Sequence, residues 1–144
     1  MSRTHLGRAT TLTPAQRLLF RALIDELAGA GQMLPTSATA QRIGLSEEET
    51  ESLLAQLVEG DWAAADGDGA LMTAYPFSVA PTGVTVTWEG AERPAMCAVD
   101  ALGVAPLLGQ AVEIRASCPH CDRAIVVHVE PDKLRKRSPR STVV

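Results

Sequence analysis

"AVEIRASCPHCDRAIVVHVE", residues 111–130, decides what kind of fold this chain can have. Apolar and polar residues alternate through "AVEIRAS" and again through "AIVVHVE". A period of two is the mark of a half-buried strand. "CPHCD" joins the two runs, so Cys118 and Cys121 are expected at the tip of a hairpin. Upstream, "YPFSVAPTGVTVTW" places Val84, Val86 and Trp88 in alternation and predicts another strand. Between them lies "AMCAVDALGV", residues 95–104. Pro94 is expected to open a short helix there, with Gly103, Pro106 and Gly109 closing it. This core is assigned to residues 75–132.

Residues 1–74 read differently. "TPAQRLLFRALIDELAGAG" offers Thr13 as N-cap, Pro14 at the first helical position and Gln16 three residues on, a capping box. Leu18, Leu19, Ala22, Leu23 and Leu27 form its apolar face, and Gly29 and Gly31 end it. Two shorter helices follow. Ser46 and Glu49 make a second capping box, with Leu53, Leu54, Leu57 and Val58 as the buried stripe. "WAAADGDGALMTAY" reads as two short strands around Asp66-Gly67-Asp68-Gly69. The expected architecture is therefore α+β. A winged-helix-like three-helix lobe leads into a small mixed or antiparallel sheet carrying a short active-site helix. Residues 133–144 hold five basic side chains, Lys133, Arg135, Lys136, Arg137 and Arg140, and are expected to be a disordered tail.

Composition narrows the function. The chain has 144 residues and a net charge of -4. Setting the tail aside leaves eight basic residues against seventeen acidic ones. A winged helix invites a DNA reading, but its third helix carries Glu47, Glu48, Glu49, Glu51 and Glu59 and no Lys or Arg. Phosphates would be repelled, so DNA is not an expected partner. No apolar run approaches a membrane span, and "MSRTHLGRATTLTP" lacks the apolar core of a signal peptide. A cytoplasmic location with reduced thiols is expected. The sequence leaves the oligomeric state open.

Three cysteines make a poor disulfide framework and a better set for chemistry or metal. Cys97 and Asp100 are three apart and should share one helical face. A thiolate at Cys97 could attack a soft centre while Asp100 moves a proton. Among Met96, Ala98, Val99, Ala101 and Leu102, the carboxyl should tend to hold its proton. The plain alternative is a buried Cys97 packing as a small apolar residue, with Asp100 capping nearby backbone. Asp100 and the helix start should also make Cys97 react faster than Cys118 with soft electrophiles. "CPHC" is half of a zinc knuckle, and zinc would need Cys97 and His128 to converge on it. A redox role suits it less, because redox C-x-x-C pairs usually open a helix after a strand.

The run "YPFSVAPTGVTV…AMCAVDALGVAPLLGQAVEIRASCPHC" resembles the signature region of the alkylmercury lyases, over about residues 75–130. That resemblance implies an enzyme that cleaves carbon–mercury bonds by protonolysis, giving hydrocarbon and Hg(II). Cys97 and Asp100 would be the catalytic pair, Cys118 a structural position, and no cofactor would be required. The substrate would be a small organomercurial. The resemblance also implies a second catalytic cysteine in a C-terminal segment, yet no cysteine follows Cys121. The chain is thus expected to be a short form or a fragment, unless Cys121 supplies that thiol. The competing expectation is a non-enzymatic protein holding mercury or zinc on Cys97, Cys118 and Cys121. A third is a winged-helix regulator with a metal-sensing lobe.

Overall fold

The computed structural model describes residues 12–143. Its helical part is α1 (Pro14–Ala30), α2 (Thr36–Ile43) and α3 (Glu47–Glu59). Both capping boxes form. The Thr13 side chain accepts from the Gln16 N–H, the Ser46 side chain accepts from the Glu49 N–H, and each partner side chain returns the bond. Gly31 ends α1 at φ 72°, where a side chain would also press on Arg93. Leu19, Leu23, Ile24 and Leu27 are buried on α1, but Leu18 is exposed; on α3 Leu57 is buried and Val58 exposed. In both helices the buried face is therefore narrower than the leucine spacing suggested.

Two antiparallel sheets follow. β1 (Ala63–Ala65), β2 (Leu71–Ala74) and β3 (Phe77–Ser78) make a small three-stranded wing. β4 (Val84–Trp88), β5 (Ala91–Pro94), β6 (Val112–Ser117), β7 (Ala124–Glu130) and β8 (Lys133–Ser138) make the main sheet, ordered β5-β4-β6-β7-β8. The helices α4 (Ala98–Leu102) and α5 (Val104–Leu108) connect β5 to β6. The expected hairpin is present, with Ser117 paired to Ala124 beside its tip. Val86 pairs with Ile114 and Ile114 with Val127, a buried row across three strands. The next row, Thr87, Glu113 and His128, lies on the other face of the pleat. One buried cluster runs from Leu19 and Leu57 through Phe77 to Trp88, Val104 and Val129. Edge-on contact of Phe20 with Trp62 (5.5 Å) and a tilted pair of Phe77 and Trp88 (5.8 Å) supply its aromatic content.

Three expectations are corrected. Residues 133–138 form a strand rather than a disordered tail. Backbone pairing to β7 needs no apolar side chain, and Glu130 gathers Lys133 (3.3 Å) and Arg135 (2.7 Å) at the turn. Every residue of β8 is exposed, as suits a charged edge strand. Pro94 closes β5 rather than opening a helix. Pro106 lies inside α5 rather than ending α4. A proline tolerates the first turn of a helix, where its missing N–H has no intrahelical role.

Arg93 ties the two parts together. Its Nε donates to the carbonyls of Leu27 (3.0 Å) and Ala28 (3.1 Å), and its Nη2 donates to that of Gly29. These carbonyls lie in the last turn of α1, which carries no basic residue of its own. A cation there satisfies orphan acceptors and the negative helix end together. Arg93→Ala is expected to lower unfolding free energy by about 2 kcal/mol, the range for hydrogen bonds to a charged group. Arg93→Lys should recover less than half, because an ammonium lacks the planar fork. Urea denaturation checks both; an unmoved midpoint in Arg93→Ala would show that water serves the helix end equally well.

Candidate active site

Cys97 is placed by the residue two before it. Ala95 is fully buried, donates its N–H to the Val84 carbonyl (3.0 Å) and bridges Phe77 of the wing. Thr82 Oγ1 donates to the Ala95 carbonyl. Met96 then donates to the Pro76 carbonyl (2.9 Å), and Thr73 Oγ1 lies 3.6 Å from the Met96 sulfur. The chain is thus held on both sides up to Cys97, which stays extended (φ -155°, ψ 179°) as the N-cap of α4.

Cys97 and Asp100 meet, by a geometry the helical-face argument did not foresee. Cys97 precedes the helix, and Asp100 is its third residue. The Cys97 thiol donates to Asp100 Oδ2 at 2.9 Å, and the Asp100 N–H donates back to Sγ at 3.4 Å. The sulfur thus caps the helix as a hydroxyl would, but the Asp100 carboxyl returns the bond to the thiol and not to the Cys97 backbone N–H, so no full capping box forms. Cys97 is exposed rather than packed in the core. Met96 and Val99 beside it are exposed as well, the latter at 66%. The expected apolar surround is therefore an open wall. The Cys97 thiol is pushed above its ordinary range by partial burial first, then by its bond to the Asp100 carboxylate. Losing the thiol proton there would forfeit a hydrogen bond and set two negative charges side by side.

Sequence reasoning missed Tyr75. Its phenol is raised by burial first, then by the charges of Asp61, Asp100 and Cys97, so it shares the field of the pair. The hydroxyl lies 3.4 Å from Asp61 Oδ1. The only signal was that the chain has a single tyrosine.

The hairpin tip stands apart from this pair. Cys118 and Cys121 are both free thiols. Asp122 donates to the Cys118 carbonyl (2.8 Å) and takes φ 55°, and Cys118 donates to the Arg123 carbonyl (2.9 Å). The Cys118 thiol is held below its ordinary range, first by the backbone N–H of His120, then by that of Cys121 and by the Cys121 thiol. Among the described residues no three or more Cys, His, Asp or Glu side chains are grouped to hold a metal. His128 does not converge on the tip. It pairs with Glu113, its Nε2 3.5 Å from Oε2, four residues before Ser117. That is about 13 Å from the tip, at roughly 3.3 Å per residue. His5 lies outside the described residues.

Topology nevertheless sends Cys97 and the tip to one end of the sheet. β5 and β6 both run antiparallel to β4, so they leave it at the same end. Thr85 is level with Pro94 on one side and Arg115 on the other. Two strand spacings separate them, about 10 Å. A separate cleft of about 720 Å³ lies at the starts of α1 and α3, lined by Ala15, Leu45, Ser46, Glu48, Ser52 and Leu53 among others, with no cysteine or histidine. Among the described residues no helix is long and apolar enough to cross a membrane.

Residues 77–144 match the model of the alkylmercury lyase family. The chain is 29% identical over 126 residues to an alkylmercury lyase of Staphylococcus epidermidis, covering 88% of this chain and 56% of that one. It is 29% identical over 130 residues to one of Bacillus cereus, covering 90% and 57%. The chain thus spans little more than half the length of these relatives. The mercury-bound form of MerB2 superimposes with a TM-score of 0.77 at 23% identity, over 92% of this chain and 64% of that one, which shows the shared α+β fold.

The thiol shifts reverse the expected order of reactivity toward reagents that require thiolate. Iodoacetamide at neutral pH should label Cys118 well before Cys97. Asp100→Asn removes the negative charge that raises the Cys97 thiol and leaves a weaker, neutral amide acceptor in its place. Its labelling profile should move to lower pH, while that of Cys118 stays. Mass mapping of labelled peptides across pH reads both. A Cys97 profile indifferent to Asp100→Asn would remove the carboxylate from control of the thiol.

Proposed function

We propose, from the match of residues 77–144 to the alkylmercury lyase model and the 29% identity to curated alkylmercury lyases, that the chain is a member of that family and cleaves carbon–mercury bonds by protonolysis, with Cys97 as mercury ligand and Asp100 as proton carrier. The observation that carries this reading is the 2.9 Å hydrogen bond from Cys97 Sγ to Asp100 Oδ2. It puts the atom that captures mercury and the group that moves the proton in direct contact.

The steps balance without an outside acid. Cys97 sulfur bonds to the mercury of R–Hg–X, X⁻ departs, and the thiol proton passes to Asp100. Mercury is soft and thiolate is its natural ligand. The carbon now sits beside a protonated carboxyl. The carbon–mercury bond breaks, its electron pair takes that proton, and R–H leaves. Asp100 returns to carboxylate, and Hg(II) stays on sulfur until a second thiolate joins it. A leaving carbanion is too basic to depart unaided, so an acid held at bonding distance is what the reaction requires. Met96 and Val99, both exposed beside Cys97, offer an apolar surface to a small alkyl or aryl group. The substrate class is therefore a small organomercurial, processed with reduced thiols in a cytoplasmic setting. No bound cofactor enters the scheme, and Hg(II) is its product.

Asp100→Asn keeps the size of the side chain but cannot carry the proton. Phenylmercury should still bind, while benzene release falls about a hundredfold or more, the usual worth of a positioned general acid. Cys97→Ser should lose release outright, because an alcohol is a poor ligand for a soft metal and mercury captured elsewhere on the chain is not held beside Asp100. Gas chromatography of benzene formed with excess thiol measures release. Release unaffected by Asp100→Asn would end the proton-carrier assignment.

A further inference from the structure

We propose that the hairpin tip, through Cys118 and Cys121, is a second mercury site: a two-thiolate seat for Hg(II) at the end of the sheet where Cys97 lies. The tip is already shaped as half of a metal knuckle. The Asp122 N–H donates to the Cys118 carbonyl (2.8 Å), closing a tight turn that carries both thiols, and the N–H groups of His120 and Cys121 favour the thiolate form of Cys118. This is the arrangement in which a Cys-x-x-Cys loop presents two sulfurs to one ion, with backbone N–H groups stabilising thiolate charge. The loop is fixed from below by the Cys118–Arg123 and Asp122–Cys118 backbone bonds.

Ligand number selects the ion. A structural zinc site needs four donors, and among the described residues no third Cys, His, Asp or Glu side chain is grouped with the two thiols so as to hold a metal, His120 and Asp122 at the tip included. Hg(II) is satisfied by two thiolates in a near-linear arrangement. It also binds thiolate far more readily than the oxygen donors of the exposed surroundings. Binding releases two thiol protons and involves no oxidation or reduction. Cys121 is exposed and Cys118 partly so, so the ion can enter from solvent.

The second half of the inference is transfer, and it rests on the lyase reading. Hg(II) left on Cys97 is held by one protein sulfur. Cys118 and Cys121 lie past the end of a strand two positions away, about 10 Å across the sheet. Exchange would form two bonds to tip sulfurs and break the bonds to Cys97 and its companion thiolate, which take up the two protons. The pair acts as a chelate, so it should outcompete single thiols at millimolar concentration.

The test is equilibrium dialysis of mercuric chloride against millimolar glutathione. Cys97→Ser should retain one Hg(II) per chain. Cys118→Ser and Cys121→Ser, each with Cys97 intact, should hold it at least about tenfold more weakly, since each leaves a single thiol at the tip. On the unaltered chain, one equivalent of Hg(II) should protect Cys118 and Cys121 from alkylation and leave Cys97 open, a readout needing no variant. Loss of retention in Cys97→Ser, or full retention in both tip variants, would overturn the site. Transfer is read separately, by mapping protected cysteines after phenylmercury has released benzene. Mercury remaining on Cys97 would overturn it. No benzene at all, with Cys97→Ser still retaining Hg(II), would sink the lyase reading and leave the tip site standing.

Discussion

Ala95 is the joint on which the arrangement depends. Its backbone continues the main sheet by bonding Val84, and it bridges Phe77 at the edge of the wing. Its side chain is fully buried, so nothing larger fits between the two layers without displacing one of them. One residue later the Met96 N–H is taken by the Pro76 carbonyl. The chain therefore reaches Cys97 with little freedom left, and α4 starts where the two sheets meet. A nucleophile on a loop would be looser. Here a residue that is itself exposed inherits the rigidity of the buried joint behind it.

The choice of residue at that helix start is informative. N-cap positions favour Ser, Thr, Asp and Asn, because a hydroxyl or carboxylate oxygen accepts a backbone N–H well. This chain uses Thr13 and Ser46 for the caps of α1 and α3, and a cysteine for that of α4. The Asp100 N–H reaches the sulfur at 3.4 Å, longer than the 3.2 Å of both hydroxyl caps. A serine would cap this helix better. The proposed role of Cys97 as mercury ligand accounts for a cap residue that helix stability alone would not select.

Much of this was legible before any coordinates. Both capping boxes, the Asp66–Gly69 turn, the strand at Val84–Trp88 and the hairpin around Cys118 rest on local chemistry, which the sequence carries in full. What stayed hidden depends on partners far along the chain. Pro94 looked like a helix opener because its role, opposite Thr85 at the end of β5, is set by pairing. β8 looked disordered because its charge concealed a backbone ladder that ignores side chains. The Cys97–Asp100 contact was read correctly as a spacing of three but wrongly as a helical face; that a thiol could serve as cap was not considered. Tyr75 enters the field of the pair only through the fold, since it lies 22 residues before Cys97 in sequence. The burial of Leu19 rather than Leu18 likewise required the crossing of α1 over the wing.

The two thiol environments follow from the same constraint and answer different needs. At Cys97 partial burial first, and then the Asp100 carboxylate, favour the protonated sulfur, which makes the thiol slower toward oxidants and ordinary alkylating agents. A mercurial is not shielded against in the same way. In the proposed reaction mercury displaces the proton from sulfur, and the displaced proton lands on the carboxyl that uses it next. A raised thiol pKa also means a more nucleophilic sulfur once the proton has gone. At the hairpin tip, backbone N–H groups favour thiolate instead, which suits the proposed seat for Hg(II). Under the two proposals, a resting thiol opened by a soft metal, with a dithiol nearby to keep it, sets a direction for mercury along one end of one sheet.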